Sequence, residues 1–363
     1  MKKREFVKNV ALSTAGLALM AALPACTSSR KQGGLPRNWA WLTARDQSDD
    51  DWRTIFGRLK KANISGLHLR APADTYRRII PLARKHGIDI HAWIITLNRA
   101  WDDEARNHPD WYTVSRNGDS CLDVRPYVDH YQWVCPSKEE VYRYVENEVL
   151  SLLEIKGLRG VHLDYIRYVD VILPVGLWKK YNLVQDREYP EFDFCYCDTC
   201  REKFLAESGI DIRTLEDPAL SEEWRRYRWD SVTRFVNRLA ERVHSDYPRK
   251  MLTAAVFPYP EISRMICRQD WARWNLDAFF PMIYHSFYNE EIPWIGSSVA
   301  SGVKDLQGRA PLFAGLFVPA LPPEKMSEAV NVSMDNGAAG ICWFNYESLG
   351  DEHHRVLRET SGF

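Results

Sequence analysis

Three cysteines stand within six residues in the segment CYCDTC, as Cys195, Cys197 and Cys200. This C-x-C-x2-C spacing lets three thiolates point inward from one tight turn, as a tetrahedral zinc site requires. Such a site needs a fourth ligand, and the sequence offers Cys135, with Cys121 as a second choice. A disulfide between Cys195 and Cys197 would be badly strained, so Cys197 with Cys200 is the local redox alternative. The alternatives to zinc are therefore this disulfide and unpaired buried thiols.

The segment GLRGVHLDYIRYVD places a carboxylate at the end of an apolar stretch. Its alternating and apolar residues predict a strand that ends at Asp164, with Tyr165 and Arg167 just beyond it. A carboxylate at a strand end can serve as a nucleophile, as a general acid or as a hydrogen-bonding group for a ligand. The structural alternative is an ion pair with Arg167 that holds the loop in place.

Strand-like and helix-like segments alternate along the chain after residue 37. Short apolar runs predict strands at 39–44, 66–71, 88–96, 158–166, 250–257, 276–284, 310–318 and 338–346. Amphipathic stretches predict helices at 49–62, 74–86, 138–154, 221–247, 262–274, 290–305, 323–335 and 351–360. This alternation requires parallel strands with crossover helices, and eight strands close most simply as a (β/α)8 TIM barrel. A doubly wound sheet is the alternative, but no Gly-rich phosphate loop follows the first strand.

Two long loops take up the excess length of this predicted barrel. They cover 97–137 after strand three and 167–220 after strand four. Both follow the carboxyl ends of strands, which is the face where barrels build their active sites. The sequence therefore predicts a site at this face and no second domain.

Further carboxylates follow strand ends at the same face. Glu261 comes after strand five and Glu347 after strand eight. Acid–base chemistry commonly uses two carboxyl groups, so each is a candidate partner for Asp164. We rank Glu347 marginally first because Trp343 and Tyr346 lie close to it, and the remaining alternative is that neither glutamate is the partner. Asp270 is at least as well explained as a helix cap or an ion pair.

Aromatic residues are abundant, with 14 Trp, 17 Tyr and 14 Phe. Much of this is ordinary core, but aromatic rings in loops also stack on the C–H faces of sugars. Side chains at or near strand ends that could bind a sugar are His91, Trp93, Asn98, Tyr165, Arg167, Tyr284, His285 and Trp343. For each inward tryptophan or histidine, the alternative is simple filling of the barrel.

Motifs spread over most of residues 37–350 carry a family resemblance. GVHLDYIRY resembles the family-10-like glycoside hydrolases of bacteria, which include exported lipoproteins. The likeness continues through HAWIITLNR, HPDWYTV, CPSKEEV, QDWARW, FFPMIY and CWFNYESL. The resemblance implies an enzyme that cleaves glycosidic bonds in a polysaccharide or oligosaccharide, with Asp164 and either Glu347 or Glu261 as its carboxyl groups. The alternative is a lipoprotein that binds glycans on the same scaffold without catalysis.

The cysteine segments carry a second resemblance. CPSKEEVYRYV together with CYCDTCREKF is similar to the zinc cluster of glycoside hydrolase family 42 β-galactosidases. This likeness implies zinc on Cys135, Cys195, Cys197 and Cys200, leaving out Cys121. Four thiolates leave no open coordination position, so the zinc would be structural. Family 42 has an Asn-Glu pair at the end of strand four, where this chain has Leu163-Asp164, so the resemblance concerns architecture and not β-galactosidase activity.

The first residues predict export. A basic start, an apolar run and the small residues before Cys26 form a signal peptide at 1–26. LPAC resembles the lipobox of bacterial lipoproteins, which implies lipidation of Cys26, with simple secretion as the alternative. A polar tether at 27–36 would then join the lipid to a domain at 37–363. The expected location is the cell envelope, at the outer membrane where one exists, by the Sec or the twin-arginine route.

Charge and motif content exclude other classes. The net charge is −1 and no basic run follows the signal, so no nucleic-acid partner is expected. No recognisable Ser-His-Asp or Cys-His motif is present, and no organic cofactor is expected. Carbohydrate and, through the lipid, a membrane are the predicted partners, while no pattern predicts an oligomeric state.

Overall fold

The computed structural model of the protein describes residues 35–359. The predicted signal peptide, Cys26 and nearly all of the tether lie outside those residues. All eight predicted strands are present within the described range. They are β1 Asn38–Thr43, β2 Gly66–Arg70, β3 Asp89–Ile95, β4 Gly160–Asp164, β5 Met251–Val256, β6 Ala278–Pro281, β7 Phe313–Phe317 and β8 Gly340–Phe344.

Helices occupy the predicted positions between these strands. The α-helices are α1 Asp49–Lys61, α2 Ala73–Lys85, α3 Asp103–Arg106, α4 Glu139–Leu153, α5 Trp178–Tyr181, α6 Asp198–Ser208, α7 Glu222–Asp246, α8 Pro260–Cys267, α9 Ile292–Leu306, α10 Pro323–Asp335 and α11 Asp351–Glu359. The helix predicted at 262–274 stops early, because Arg268 adopts a left-handed conformation with φ 61°. A short 3-10 turn, Trp271–Arg273, follows it. No helix within residues 35–359 is long and apolar enough to cross a membrane.

The strands form a closed parallel barrel. Each of β1 to β5 pairs in parallel with the next strand, and β8 lies between β7 and β1. Parallel bridges from Phe279 to Leu312 and from Met282 to Gly315 join β6 to β7 and complete the ring. The prediction of a (β/α)8 barrel is therefore confirmed, and the doubly wound alternative is wrong.

Side chains alternate between the barrel interior and the surrounding helices, as a period of two requires. On β1, Trp39 and Trp41 point inward, whereas Ala40 and Leu42 join the hydrophobic core beneath the helices. The ring of Trp39 stacks on His68 with centroids 4.6 Å apart. Large aromatic and imidazole rings thus fill the barrel, which is a packed core and not a pore.

Gly66 at the start of β2 makes room for this packing. A Cβ atom there would lie 2.1 Å from Cδ2 of Trp39. Because no real Cβ contact is so short, the indole could not occupy its place beside any larger residue. Glycine at this position thus permits the large ring near the bottom of the barrel.

Local signals in the sequence explain the helix ends. At the start of α1, the Ser48 side chain accepts a hydrogen bond from the Asp51 backbone, and the Asp51 side chain accepts one from the Ser48 backbone. This reciprocal capping box satisfies backbone donors that the first turn leaves unpaired. The first turn is acidic and the last contains Arg58 and Lys60, as the helix dipole favours.

Candidate active site

A cavity of about 340 Å³ opens at the carboxyl ends of the strands. It is bounded by residues at the ends of β2, β3, β4 and β8 and by the loops that follow the strands. Its aromatic lining consists of Trp93, Trp101, Tyr131, Tyr165, Phe257, Tyr284, Phe287, Tyr288 and Phe344. Its charged or strongly polar lining consists of Arg70, Asn98, His130, Asp164, Arg167 and Asp170. Such a concave, mostly apolar surface with a few polar groups is typical of a small-molecule site.

Asp164 is held firmly in this cavity at the end of β4. Trp93 Nε1 donates a hydrogen bond of 2.9 Å to one carboxylate oxygen, and the Tyr165 backbone N–H donates one of 2.7 Å to the other. Tyr165 has a φ of 54°, a strained value for a tyrosine, and its amide is directed at the carboxylate. Both oxygens of Asp164 are therefore oriented by neighbours before any ligand arrives.

The surroundings of Asp164 also change its acidity. Only 7% of the residue is exposed, and this burial raises the pKa of its carboxyl group. The hydrogen bonds from Tyr165 and Trp93 lower that pKa, but they do not cancel the effect of burial. The positive charges of Arg167 and Arg70 act in the same lowering direction. A carboxyl group with a raised pKa is suited to proton donation.

Asp170 is the second carboxylate that lines the cavity among the described residues. Its Oδ2 accepts a hydrogen bond of 2.9 Å from Nη1 of Arg167, and both side chains are buried. The ion pair predicted as an alternative for Asp164 therefore joins Arg167 to Asp170 instead. The Arg167 guanidinium also lies 4.9 Å from the ring centroid of Phe257 and 5.0 Å from that of Trp133. Arg167 is thus fixed at the cavity wall by charge and by aromatic contacts.

Glu261 and Glu347, the two glutamates predicted as partners of Asp164, lie outside the cavity. Glu261 is exposed in the first turn of α8, and it is not part of the cavity lining. Glu347 is also exposed outside the lining, and its Oε1 accepts a 3.3 Å hydrogen bond from the Thr43 backbone. Asp270 forms ion pairs with Arg264 and Arg273, as its structural interpretation predicted. The structure does not bring either glutamate together with Asp164 in the cavity.

Five of the predicted sugar-binding residues line the cavity, namely Trp93, Asn98, Tyr165, Arg167 and Tyr284. The Tyr284 hydroxyl is buried without a hydrogen-bond partner among the described residues. Such a hydroxyl can donate to a ligand without first breaking a bond within the protein. Burial raises the pKa of this tyrosine, so the group stays a neutral donor.

Three other predicted residues do not reach the cavity. His91 is 1% exposed inside the barrel, where burial lowers its pKa to about 3 and its Nδ1 lies 3.4 Å from Oγ1 of Thr253. It belongs to the filling of the barrel because it lies one inward position deeper on β3 than Trp93. Trp343 points outward into the core beneath the helices, while Phe344 next to it lines the cavity. His285 lies in a 3-10 turn and is not part of the lining.

Sequence reasoning missed several lining residues. Arg70 is the last residue of β2, and a charged residue at a strand end could have marked it. Asp170 follows Arg167 by three residues, a spacing compatible with the observed ion pair. Trp101 and Tyr131 come from the long loop after β3, where no periodic pattern indicates direction. The fold of that loop alone brings them to the cavity.

The four cysteines of the predicted zinc site meet in one buried cluster. The sulfur atoms of Cys135, Cys195, Cys197 and Cys200 all lie within 4.8 Å of one another. The sulfur of Cys135 is 3.4 Å from that of Cys200 and 3.8 Å from that of Cys197. Four thiolates around a tetrahedral zinc, each about 2.3 Å from the metal, would have sulfur separations of about 3.8 Å. The donor set therefore fits a four-thiolate metal, and no disulfide joins these cysteines.

Cys121 stands apart from this cluster. Its thiol donates to the Tyr131 carbonyl oxygen at 3.1 Å and accepts a hydrogen bond from the Trp133 backbone. Cys135 is therefore the cysteine that joins the CYCDTC segment. The cluster connects the start of α4 to α6 and the chain before it, two segments far apart in sequence.

The fold of this chain is similar to that of several proteins of known structure. No protein-family model and no curated protein matches the sequence. Among solved structures, a β-galactosidase from Halorubrum lacusprofundi matches with a TM-score of 0.61 at 12% identity, over 90% of this chain and 57% of that one. One from Bacillus circulans sp. alkalophilus matches with a TM-score of 0.60 at 14% identity, over 85% of this chain and 50% of that one.

The catalytic domain of a β-amylase from Paenibacillus polymyxa is also similar. Its TM-score is 0.60 at 10% identity, over 89% of this chain and 97% of that domain. The chain spans about half the length of the β-galactosidases that it matches. At such low identities, these likenesses establish the barrel fold that all these proteins share.

Proposed function

We propose that the protein is a glycoside hydrolase that acts on a polysaccharide or oligosaccharide. The observation that carries this proposal is Asp164, a buried carboxyl group with a raised pKa at the mouth of the barrel, inside an aromatic cavity. Aromatic walls suit the C–H faces of sugar rings, and the hydroxyl of Tyr284 supplies an unpaired donor for a sugar oxygen. The shared fold with β-galactosidases and a β-amylase supports the same class of reaction.

In the proposed reaction, Asp164 donates its proton to the glycosidic oxygen as the bond from that oxygen to the anomeric carbon breaks. The electron pair of this bond stays with the leaving oxygen. If the second carboxylate acts as a base, it takes a proton from water as the water oxygen bonds to the anomeric carbon. If it acts as a nucleophile, it bonds to the anomeric carbon first, and water then displaces it while Asp164 takes the proton of that water. Asp170 takes the role of the second carboxylate because, among the described residues, it is the other carboxylate in the cavity lining.

The experiment is turnover on a glycan panel. We expect reducing ends to be released from at least one of galactan, starch, xylan, chitin oligosaccharides and denuded peptidoglycan. Asp164→Asn should lower the rate by about 10²- to 10⁴-fold, the usual contribution of a general acid. Its melting temperature should change little, since asparagine keeps the size of the side chain and an oxygen that accepts one of the two hydrogen bonds. Asp335→Asn, an exposed change at the end of α10, is the matched control and should keep full activity.

The competing function is glycan binding without catalysis. In that case the wild-type protein would bind a glycan of the panel and release no reducing ends from any of them. Activity close to wild type in Asp164→Asn would instead show that another residue carries the chemistry.

We also propose a structural zinc ion on the four clustered cysteines. The support is the set of sulfur separations, which match a tetrahedral four-thiolate site. Zinc bound there would replace sulfur–sulfur contacts by metal–thiolate bonds and leave no position for substrate. We further propose export and lipid anchoring through Cys26, on the basis of the signal and lipobox pattern.

A further inference from the structure

A second cavity of about 790 Å³ adjoins the candidate active site. It lies over α2, α4 and the loop after β3, and we call it the side groove. Five residues line both cavities, namely Arg70, Trp93, Ile95, Asn98 and Trp101. The two cavities therefore adjoin at this boundary, and the side groove extends away from Asp164, which lines only the first cavity.

Trp101 marks the boundary between the two cavities. Its side chain is 66% exposed, a large apolar surface left in contact with water. The ring of His130 lies parallel to the indole, with an angle of 10° and centroids 5.7 Å apart. An indole supported by a stacked ring and open to solvent is an apolar platform for the C–H face of a sugar.

One wall of the side groove, formed by Arg99, Asp102, Tyr144 and Glu148, is polar and held in place. The Arg99 guanidinium is buried, and it bonds to Asp102 at 3.1 Å and to Glu148 at 2.7 Å. The Tyr144 hydroxyl bonds to both carboxylate oxygens of Asp102 at 2.9 Å. These contacts tie the loop after β3 to α4, so the groove is formed before a ligand binds. A polar wall beside one aromatic platform matches a ligand rich in hydroxyl groups.

We propose that the side groove binds further sugar rings of a glycan chain, with Trp101 stacking on one of them. This proposal rests on the proposed hydrolase function and specifies its substrate as a chain of several sugars. A chain that occupies both cavities extends beyond the sugar at Asp164, so cleavage falls within the chain and not only at its end.

The kinetic test compares Trp101→Ala and Trp101→Phe with the wild-type protein on a polysaccharide that it hydrolyses. Trp101→Ala should raise KM for the polymer by about 3- to 10-fold, the value of one aromatic stacking contact, with a much smaller change in kcat. For the shortest oligosaccharide that is cleaved, the rise in KM should be smaller. Trp101→Phe keeps an aromatic face and should restore most of the affinity. Val184→Ala is the matched control, since Val184 is 74% exposed and lines neither cavity.

The product pattern tests internal cleavage. For the wild-type protein, the viscosity of the polymer should fall well before many reducing ends accumulate. Release of only single sugars or disaccharides from the start would overturn internal cleavage. Equal KM values for wild type and Trp101→Ala on the polymer would overturn the proposal that the side groove binds sugar rings.

Affinity electrophoresis separates this proposal from the proposed hydrolysis. The full chain is run in gels that contain the same polysaccharides of the panel, as wild type, Asp164→Asn and Trp101→Ala. Sugar binding in the side groove is supported if a polysaccharide retards the wild-type protein and Asp164→Asn but does not retard Trp101→Ala. This result counts even if no glycan is hydrolysed. If no panel polysaccharide retards the wild-type protein, the groove proposal is overturned, whether or not short glycans are cleaved.

Discussion

At the scale of single residues, the environment of Asp164 combines two opposing effects. Burial raises the pKa of the carboxyl group, while two hydrogen bonds and the charges of Arg167 and Arg70 lower it. Arg70 is the exposed last residue of β2 and lines the cavity, so its positive charge lies at the cavity wall. Because these effects on the pKa oppose each other, the carboxyl group of Asp164 can both bind a proton and release it.

Removing the charge of Arg70 should therefore shift the pH dependence of hydrolysis. A general acid must be protonated to act, so activity falls as pH rises through the pKa of Asp164. Arg70→Gln removes a positive charge that lowers this pKa, which then rises. The alkaline limb of the kcat/KM profile should move to higher pH, as measured by reducing-end release across a pH series.

Arg249→Gln is the control for this shift, because Arg249 is exposed and precedes β5 at the opposite end of the barrel. Its alkaline limb should stay in place. Movement of the acidic limb alone in Arg70→Gln would instead mean that Asp164 acts in its ionised form.

The identity of the second carboxylate is also decided at this scale. Asp170→Asn should lower kcat by about 10²-fold or more, while the amide oxygen still accepts a hydrogen bond from Arg167. Glu347→Gln and Glu261→Gln should remain close to wild type because neither side chain lines the cavity. Rates are measured on one glycan, with the melting temperature of each variant as a check on folding. A large loss in either glutamine variant, with Asp170→Asn active, would reverse the assignment.

At the scale of elements, the cysteine cluster joins distant parts of the chain. Cys135 precedes α4 and Cys200 lies in α6, 65 residues further along. The intervening chain includes β4 and the residues after Asp164 that line the cavity. A metal at the cluster would close this long loop, and such a cross-link can stabilise a fold by about 3–5 kcal/mol in the chain-entropy picture.

A buried ion network lies close to the cluster in the same loop. The Asp193 carboxylate is fully buried and forms ion pairs with the guanidinium groups of Arg228 and Arg268. Burial acts to raise the pKa of Asp193, but the two arginines hold it below its usual value. The loop after β4 is therefore held to α7 by charge as well as by its cysteines.

Loss of one clustered cysteine should release the metal and loosen this loop. We expect about one zinc per chain in the wild type and none in Cys197→Ser, by elemental analysis of the purified protein. Thermal stability and activity should both fall, although no carboxylate is altered. Cys121→Ser is the matched control, because Cys121 is equally buried and lies outside the cluster. Zinc-free wild-type protein with a Cys197–Cys200 disulfide in its mass spectrum would contradict the metal site.

At the scale of the whole molecule, a barrel domain follows a sequence that predicts export. The described residues begin at 35, so the predicted anchor and nearly all of its tether lie outside them. Export and anchoring stay predictions from the first residues of the sequence.

Lipidation of Cys26 is tested by Cys26→Ser in the full chain. A lipid-modified protein should sediment with membranes, and the serine variant should appear in the soluble fraction, since one thioether-linked lipid is lost. Fractionation followed by immunoblotting measures this distribution. If the wild-type protein is already soluble, the prediction of a lipid anchor on Cys26 is wrong.

The barrel architecture could be predicted from local patterns in the sequence. Strand and helix periods are local, and eight strands alternating with helices are enough to predict the closed parallel barrel. The predicted strand at 158–166 contains β4, and the expectation that the strand ends at Asp164 is confirmed. The cysteine spacing, together with a family resemblance, correctly predicted which cysteines would meet.

Which side chains share the cavity could not be predicted from the sequence, because it depends on how the strands and loops pack together. Adjacent residues on a strand point to opposite faces of the barrel wall. Phe344 therefore lines the cavity, whereas its neighbour Trp343 packs beneath the helices. Depth along a strand separates Trp93 at the mouth from His91 in the packed interior. Trp101 and Asp170 come from long loops, whose course depends on contacts between residues far apart in sequence and not on any local period.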